Sequence, residues 1–418
     1  MRLIYTIGIA IYVFAIRIAA ILQPKAKKWV DGRKNWKADV KAEIKKNNQW
    51  LWFHCASLGE FEQARPLIEK IKGEYPAKKI LLTFFSPSGY EIRKNYSLAD
   101  KVMYLPADFT GNARYFFDAY KPEAGFFIRY DIWVNFILEA GKRKIPLFLI
   151  SAKLSPKSAF THSFLSPLFR QAFNTFAWIF CQDENSLNEL KVFTGKTNLS
   201  VSGDTRADRV VMIADAAEDV PGIKEFVADR FCVIAGSAWE AEEKMILALT
   251  KELQEKEIAW IIAPHEIHPD NISNLIANDA ENQVAFSALS SSPKNKNILW
   301  IDNVGMLNKI YKYGSVAFIG GGFGKGIHNI LEPAAFGLPV AFGPNHIKFK
   351  EAGEMILTGG GMEIRTSNDL RKFILQYFEN KELLKIYSMK AGEYVQKNSG
   401  ATENVMQGLR GINLFSQR

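Results

Sequence analysis

Short apolar runs recur along the chain, with polar, helix-periodic segments between them. The first set is Leu51–Ala56, Ile80–Phe85, Val102–Leu105, Gly125–Ile128, Leu147–Ile150, Trp178–Cys181 and Leu199–Gly203. The second is Phe231–Gly236, Ala259–Ala263, Ile298–Ile301, Val316–Gly320 and Val340–Gly343. Continuous runs rich in Val, Ile and Phe suit strands covered on both faces, and alternation with helices implies parallel, doubly wound sheets. Between the sets, Asp215 to Gly222 is acidic and turn-like. The pattern predicts an α/β chain of two Rossmann-like halves facing a cleft. The halves run 24–210 and 230–418, with a linker at 211–229. Ligands of such sheets sit beyond the carboxyl ends of the strands.

One apolar run stands apart. Leu3–Leu22 is interrupted only by Thr6 and Arg17, and a bilayer-spanning helix needs ~20 apolar residues. Residues 1–23 are therefore expected to anchor the protein in a membrane, spanning it or half-inserted. No clean small-x-small site marks a signal peptide. An amphipathic in-plane helix would want a charged face, which this segment lacks.

Charge sharpens the picture. The net charge is +9, and most of it lies in residues 25–46, where Lys25, Lys27, Lys28, Arg33, Lys34, Lys37, Lys41, Lys45 and Lys46 outnumber Asp31, Asp39 and Glu43. The remainder is close to neutral, which argues against a nucleic-acid surface. A basic collar beside an apolar segment places the body on the cytoplasmic side of a membrane, against anionic head groups. Cys55, Cys181 and Cys232 each sit in an apolar run, with no CxxC pair or His/Cys ligand spacing. That suits a reducing compartment, and no structural metal is expected. A length of 418 residues, 48% hydrophobic and 23% charged, is ordinary for a two-domain enzyme.

Candidate chemistry gathers on the loops that follow strands. Gly320-Gly321-Gly322-Phe323-Gly324-Lys325-Gly326 leads from a strand towards a helix start at Asn329. Glycines let N–H groups approach an anion, and a helix N-terminus adds partial positive charge. The stretch is no P-loop, because Gly326 follows Lys325, and it misses the dinucleotide spacing G-x-G-x-x-G. Asn329 and Glu332 would share a helix face and reach ribose hydroxyls; the alternative is a flexible loop before an ordinary helix. Gly236-Ser237 suits a phosphate or carboxylate, Pro264-His265 ends the next strand, and Gly305-Met306-Leu307 offers backbone to a base.

In the first half, Glu60 follows a strand and could accept a proton from a hydroxyl, although Ser57-x-x-Glu60 is also a capping box. Asp131 is either a cleft carboxylate or an N-cap. Arg206 either stabilises an anion or pairs with Asp208. Loops carrying Ser57 and Gly59, Ser86 and Gly89, and Lys153, Ser155, Lys157 and Ser158 are candidates to hold an anionic acceptor.

Taken in order, these stretches resemble the 3-deoxy-D-manno-octulosonic acid (Kdo) transferases of lipopolysaccharide synthesis. The matching residues are His54–Glu60, Thr83–Gly89, Asp131–Trp133, Lys153–Ser155, Gly203–Asp208, Ala235–Ser237, Gly320–Gly322, His328–Glu332 and Phe342–Pro344. The resemblance covers nearly the whole chain. It implies the GT-B fold, an inverting transfer from a CMP-Kdo donor to a lipid A precursor, and no metal cofactor. It implies Glu60 as proton acceptor and Asp131 and Arg206 as transition-state stabilisers. It implies CMP contacts from Pro264, His265, Gly305–Leu307, Asn329, Ile330, Leu331 and Glu332. Three departures stand out: Arg129-Tyr130-Asp131 replaces Glu-x-Glu, Pro264-His265-Glu266 replaces Pro-Arg-His, and Arg206 replaces a lysine. Alternative readings are another nucleotide-sugar transferase or epimerase of this fold, or a non-catalytic membrane-surface binding protein.

Overall fold

A computed structural model describes residues 1–41, 49–156, 158–291 and 296–415. Glu43, Lys45, Lys46 and Lys157 lie outside the described residues. The chain divides into two units, Met1–Arg209 with Ser399–Arg418, and Val210–Asn398. The final twenty residues thus belong to the first unit, whereas the sequence pattern assigns them to the second half.

The first unit holds strands β1 (Trp50–Cys55), β2 (Lys79–Phe84), β3 (Lys101–Tyr104), β4 (Ala124–Ile128), β5 (Leu147–Ala152), β6 (Trp178–Cys181) and β7 (Leu199–Val201). They form one sheet in the order β3-β2-β1-β4-β5-β6-β7, parallel throughout. β1 is central and every residue in it is buried. Trp52 meets Phe116, Phe127 and Phe136 with ring centroids 4.9, 5.0 and 6.0 Å away. A fully buried aromatic contributes about 1.5–3 kcal/mol, so this ring cluster fixes the sheet firmly.

The second unit holds β8 (Phe231–Ala238), β9 (Ile258–Pro264), β10 (Gln283–Ala285), β11 (Ile298–Trp300), β12 (Val316–Ile319), β13 (Val340–Phe342) and β14 (Gly361–Glu363). Its sheet is also parallel, in the order β10-β11-β9-β8-β12-β13-β14. All twelve expected strands are present. β10 and β14 are additional, and both are three-residue strands at sheet edges. β5 and β8 each carry a register shift, and each shift contains a serine at positive φ, Ser151 at 50° and Ser237 at 53°. Such irregularities re-aim the chain at a strand end.

The first helix, α1 (Arg2–Ala19), is long and apolar enough to cross a membrane. It nonetheless packs on the first unit. Tyr5 and Val13 are buried and Ile9 packs beside them. The Tyr5 hydroxyl donates to Asp108 at 2.7 Å, and Arg2 Nε donates to Asn135 at 2.7 Å. Leu3, Ile7, Ile11, Phe14 and Ile18 form an exposed stripe on the other side. The helix therefore needs no charged face to be two-sided, because protein covers one apolar face and leaves the other open. α2 (Pro24–Asp31) and α3 (Trp36–Lys41) follow and carry exposed lysines. Arg33 does not join that collar, since its guanidinium donates inward to the Leu105 and Phe85 carbonyls at 2.8 and 2.7 Å.

Candidate active site

In the first unit the strand order reverses between β1 and β4, the place where doubly wound sheets leave a crevice. The loop after β1 enters α4 (Leu58–Glu74) through a capping box. Ser57 Oγ accepts from Glu60 N at 3.5 Å, and Glu60 Oε2 accepts from Ala56 N and Ser57 N at 2.5 and 3.2 Å. The capping and proton-acceptor readings thus meet on one carboxylate. Oε2 is committed to the backbone, while Oε1 makes no hydrogen bond among the described residues. Burial pushes Glu60 up to about 7, and the neighbouring Asp131 charge adds to the effect; the two N–H groups and Arg129 oppose it.

Asp131 is not an N-cap. Helix Val134–Lys142 is held at its start by Asp108, which accepts from Asn135 N and Phe136 N at 3.0 Å each. Asp131 Oδ2 instead accepts from Trp133 Nε1 at 2.8 Å and lies 2.7 Å from His54 Nε2. His54 is fully buried on β1, with Nδ1 2.9 Å from Thr83 Oγ1, which also accepts from Trp52 Nε1 at 2.8 Å. A polar chain therefore runs from β2 across β1 to Asp131. His54 stands in the matching stretch, but nothing in the sequence marks it as a partner of Asp131.

The other first-unit candidates divide by role. Ser86 caps helix Pro87–Arg93, and Ser158 caps Ala159–His162. A Cβ at Gly89 would come within 2.4 Å of Phe84, whereas Gly59 has open space around it. Ser155 lies exposed on its loop, and Lys153 is half-buried. Arg206 pairs with Asp204, its Nη2 2.7 Å from Oδ2, and Asp204 also accepts from Gln63 at 3.0 Å. The expected alternative partner, Asp208, instead accepts from Gly400 N and Thr402 N at 2.5 Å each, tying down helix Ala401–Gly411.

In the second unit the glycines serve close packing. A Cβ at Gly320 would fall 2.2 Å from the Ser237 carbonyl, at Gly322 2.5 Å from Gly343 N, and at Gly236 2.3 Å from the Tyr311 hydroxyl. Gly321 adopts φ 89° and donates its N–H to the buried Glu242 carboxylate at 2.9 Å. That N–H is therefore not open to a phosphate. The helix starts at Leu331, not Asn329, and spans only Leu331–Ala335. Asn329 precedes it, accepting from Leu331 N at 3.2 Å and donating to Glu332 at 3.0 Å. Ile330 and Leu331 bury their side chains in the core. Gly305 turns at φ 88°, and Met306 caps the short helix Leu307–Ile310.

Three rings collect at the ends of β8, β9 and β12. Trp239 stacks on His265 at 4.2 Å, and His265 stacks on His328 at 4.4 Å. Trp239 Nε1 donates to His328 Nε2 at 3.1 Å. Burial, with the neighbouring His265, holds His328 down to about 4, so its ring is neutral and Nε2 is an acceptor. Pro264 lies directly beside this stack, opposite Ala238 in the sheet register. Trp239 was not among the sequence candidates, although its place after a Gly-Ser strand end was the available signal.

Residues 33–209 match the family model described as 3-deoxy-D-manno-octulosonic-acid transferase. The 3-deoxy-D-manno-octulosonic acid transferase of Rickettsia bellii is 26% identical over 374 residues, 86% of this chain and 87% of that one. That of Aquifex aeolicus is 26% identical over 351 residues, covering 83% and 91%. Among solved structures, the UDP-GlcNAc 2-epimerase of Neisseria meningitidis superposes with a TM-score of 0.62 at 16% identity, covering 87% of this chain and 100% of that one. That likeness shows the two-sheet GT-B architecture alone. The family domain in the first unit and relatives aligned along most of the chain make it similar to the glycosyltransferases named as Kdo transferases.

Proposed function

We propose that the protein transfers Kdo from CMP-Kdo to a hydroxyl of a lipid A precursor of the lipid IVA type, in lipopolysaccharide synthesis. The observation that carries the reading is the Glu60 carboxylate, with one oxygen pinned by backbone and the other making no hydrogen bond among the described residues, raised to about 7. A base works best when its pKa lies near the working pH. The acceptor oxygen bonds to the anomeric carbon as the bond from that carbon to the CMP phosphate breaks. Glu60 takes the hydroxyl proton, CMP leaves with the electron pair, and configuration inverts.

CMP is assigned to the loops after β8, β9 and β12, with Glu332 towards the ribose. Gly321 has already given its N–H to Glu242, so His265 and Lys325 are the side chains assigned to the phosphate. No metal is called upon. The membrane part of the reading rests on α1. Breaking the Tyr5–Asp108 bond to free a spanning helix would lose a hydrogen bond to a buried carboxyl, at about 1–3 kcal/mol. Lying in the interface buries the open stripe at no such cost. We therefore place α1 half-inserted in the cytoplasmic face of the inner membrane.

The test is product mass after purified enzyme meets CMP-Kdo and a tetra-acylated acceptor. Wild type should add Kdo. Glu60→Gln should lower transfer by about 10²–10⁴-fold while CMP affinity by calorimetry stays unchanged. No product from wild type would overturn the donor and acceptor; full-rate transfer by Glu60→Gln would overturn the base.

A further inference from the structure

One cation beside Glu60 makes no hydrogen bond or ion pair among the described residues. Arg129 follows β4, and its guanidinium takes part in no hydrogen bond or ion pair among the described residues; its Nε is buried and unsatisfied. Its nearest aromatic contact is Tyr130, 5.1 Å from the guanidinium carbon to the ring centre. The backbone is held in the left-handed region at φ 60°, with Arg129 N donating to the Ile150 carbonyl at 2.8 Å. A side chain other than glycine is costly there and survives where surroundings impose it, often at working sites. The β1–β4 register, with His54 beside Phe127, brings Arg129 level with Ala56, whose N–H grips Glu60. The register of β4 with β5, Ile128 beside Ile150, brings the loop carrying Lys153 alongside. Lys153 makes no ion pair among the described residues.

We propose that Arg129 is a substrate-anion receptor, binding a carboxylate or phosphate group of the substrate next to the oxygen that Glu60 deprotonates. The inference rests on the transferase reading above. A planar guanidinium matches both oxyanions in a two-point fit. The ulosonic acid carries its carboxylate on the carbon under attack, so a cation beside the base can reach it; an acceptor phosphate is the second source of the same chemistry. No bond to Arg129 is made or broken. Its part is to orient the anion and to offset the repulsion between that anion and the neighbouring acidic side chains of Glu60 and Asp131.

Arg129→Gly tests this cleanly, because glycine fits φ 60° and deletes only the side chain. The expected result is a thermal midpoint equal to or above wild type, with KM raised at least tenfold for the substrate bearing the anion. Added guanidinium ion should restore part of the loss, and Arg129→Lys should lie between. A KM penalty for CMP-Kdo that persists with a dephosphorylated acceptor assigns the carboxylate; a penalty that vanishes with that acceptor assigns the phosphate. Independently of turnover, free Kdo and inorganic phosphate are titrated against arginine Nε–Hε NMR signals, Arg129 being the signal missing in Arg129→Gly. An active variant with unchanged KM for both substrates overturns the proposal. If wild type proves inactive, the transferase reading falls separately, and the absence of a saturable Arg129 shift with either anion overturns the receptor.

Discussion

Glu60 serves the helix and the chemistry with different oxygens, and its neighbours set how readily it gains a proton. Burial raises it most and the Asp131 charge adds to that, so Asp131→Asn should lower the Glu60 pKa part of the way. The acid limb of kcat/KM, expected near pH 7 in wild type, should then move to lower pH; an unmoved limb would assign it to another group. The same shift has a stability consequence. The carboxyl rises from its ordinary 4.5 to about 7 in the folded protein, so the native state binds more protons than the unfolded chain in that window. Stability contributed by the protonated form is present below pH 4.5 and lost as pH climbs through 7. Glu60→Gln removes that loss and should be the more stable protein at pH 8, by at most about 3 kcal/mol, with the gap closing under acid conditions. Equal midpoints at pH 8 would contradict the buried-charge account. Glu60 and Asp131 were visible in the sequence because each stands just past an apolar strand. His54 was not, because a histidine inside Trp50–Cys55 reads as core, and only the fold brings Asp131 to it.

Elements were legible to the extent that their residues form an apolar run. The ten interior strands do so, and so do the edge strands β3 and β7. β10 and β14 do not, because Gln283–Ala285 and Gly361–Glu363 are too short and carry too few large apolar residues to form such a run. The glycine-rich turn was correctly seen as special, but for a different physical reason. Its glycines permit backbone-to-backbone contact with the end of β8 and the loop after β13, and the amide of Gly321, at positive φ, donates to Glu242. Glu242 escaped notice because it is one of three glutamates opening helix Glu240–Glu252. Losing it should release Gly321 N and Trp239 N together. Glu242→Ala is therefore expected to cost about 1–3 kcal/mol and to speed exchange of the Gly321 amide. An unchanged midpoint and exchange rate would mean the carboxylate is dispensable to the turn.

At the scale of the molecule, the chain leaves the first unit at Arg209 and re-enters it at Ser399. Helix Ala401–Gly411 lays Val405, Met406 and Leu409 into the core that holds β1, β2 and β4. A Cβ at Gly408 would strike Phe180 at 2.5 Å. Removing residues 399–418 should therefore expose amides of β1 and β4 to hydrogen exchange and leave β8 and β9 protected. Loss of protection in β8 first would contradict the assignment of this helix. The two-sheet plan was readable from alternation of strands and helices. The return of the tail was not, since an amphipathic helix does not say which sheet it will cover.

That return imposes an order on biosynthesis. Everything from Val210 to Asn398 leaves the ribosome before the segment that seals the earlier half. At ~5–20 residues per second, the nascent amino-terminal sheet waits roughly ten to forty seconds with part of its apolar surface uncovered. During that interval the apolar leading helix is already out, so its exposed stripe is presented before the domain it belongs to is complete.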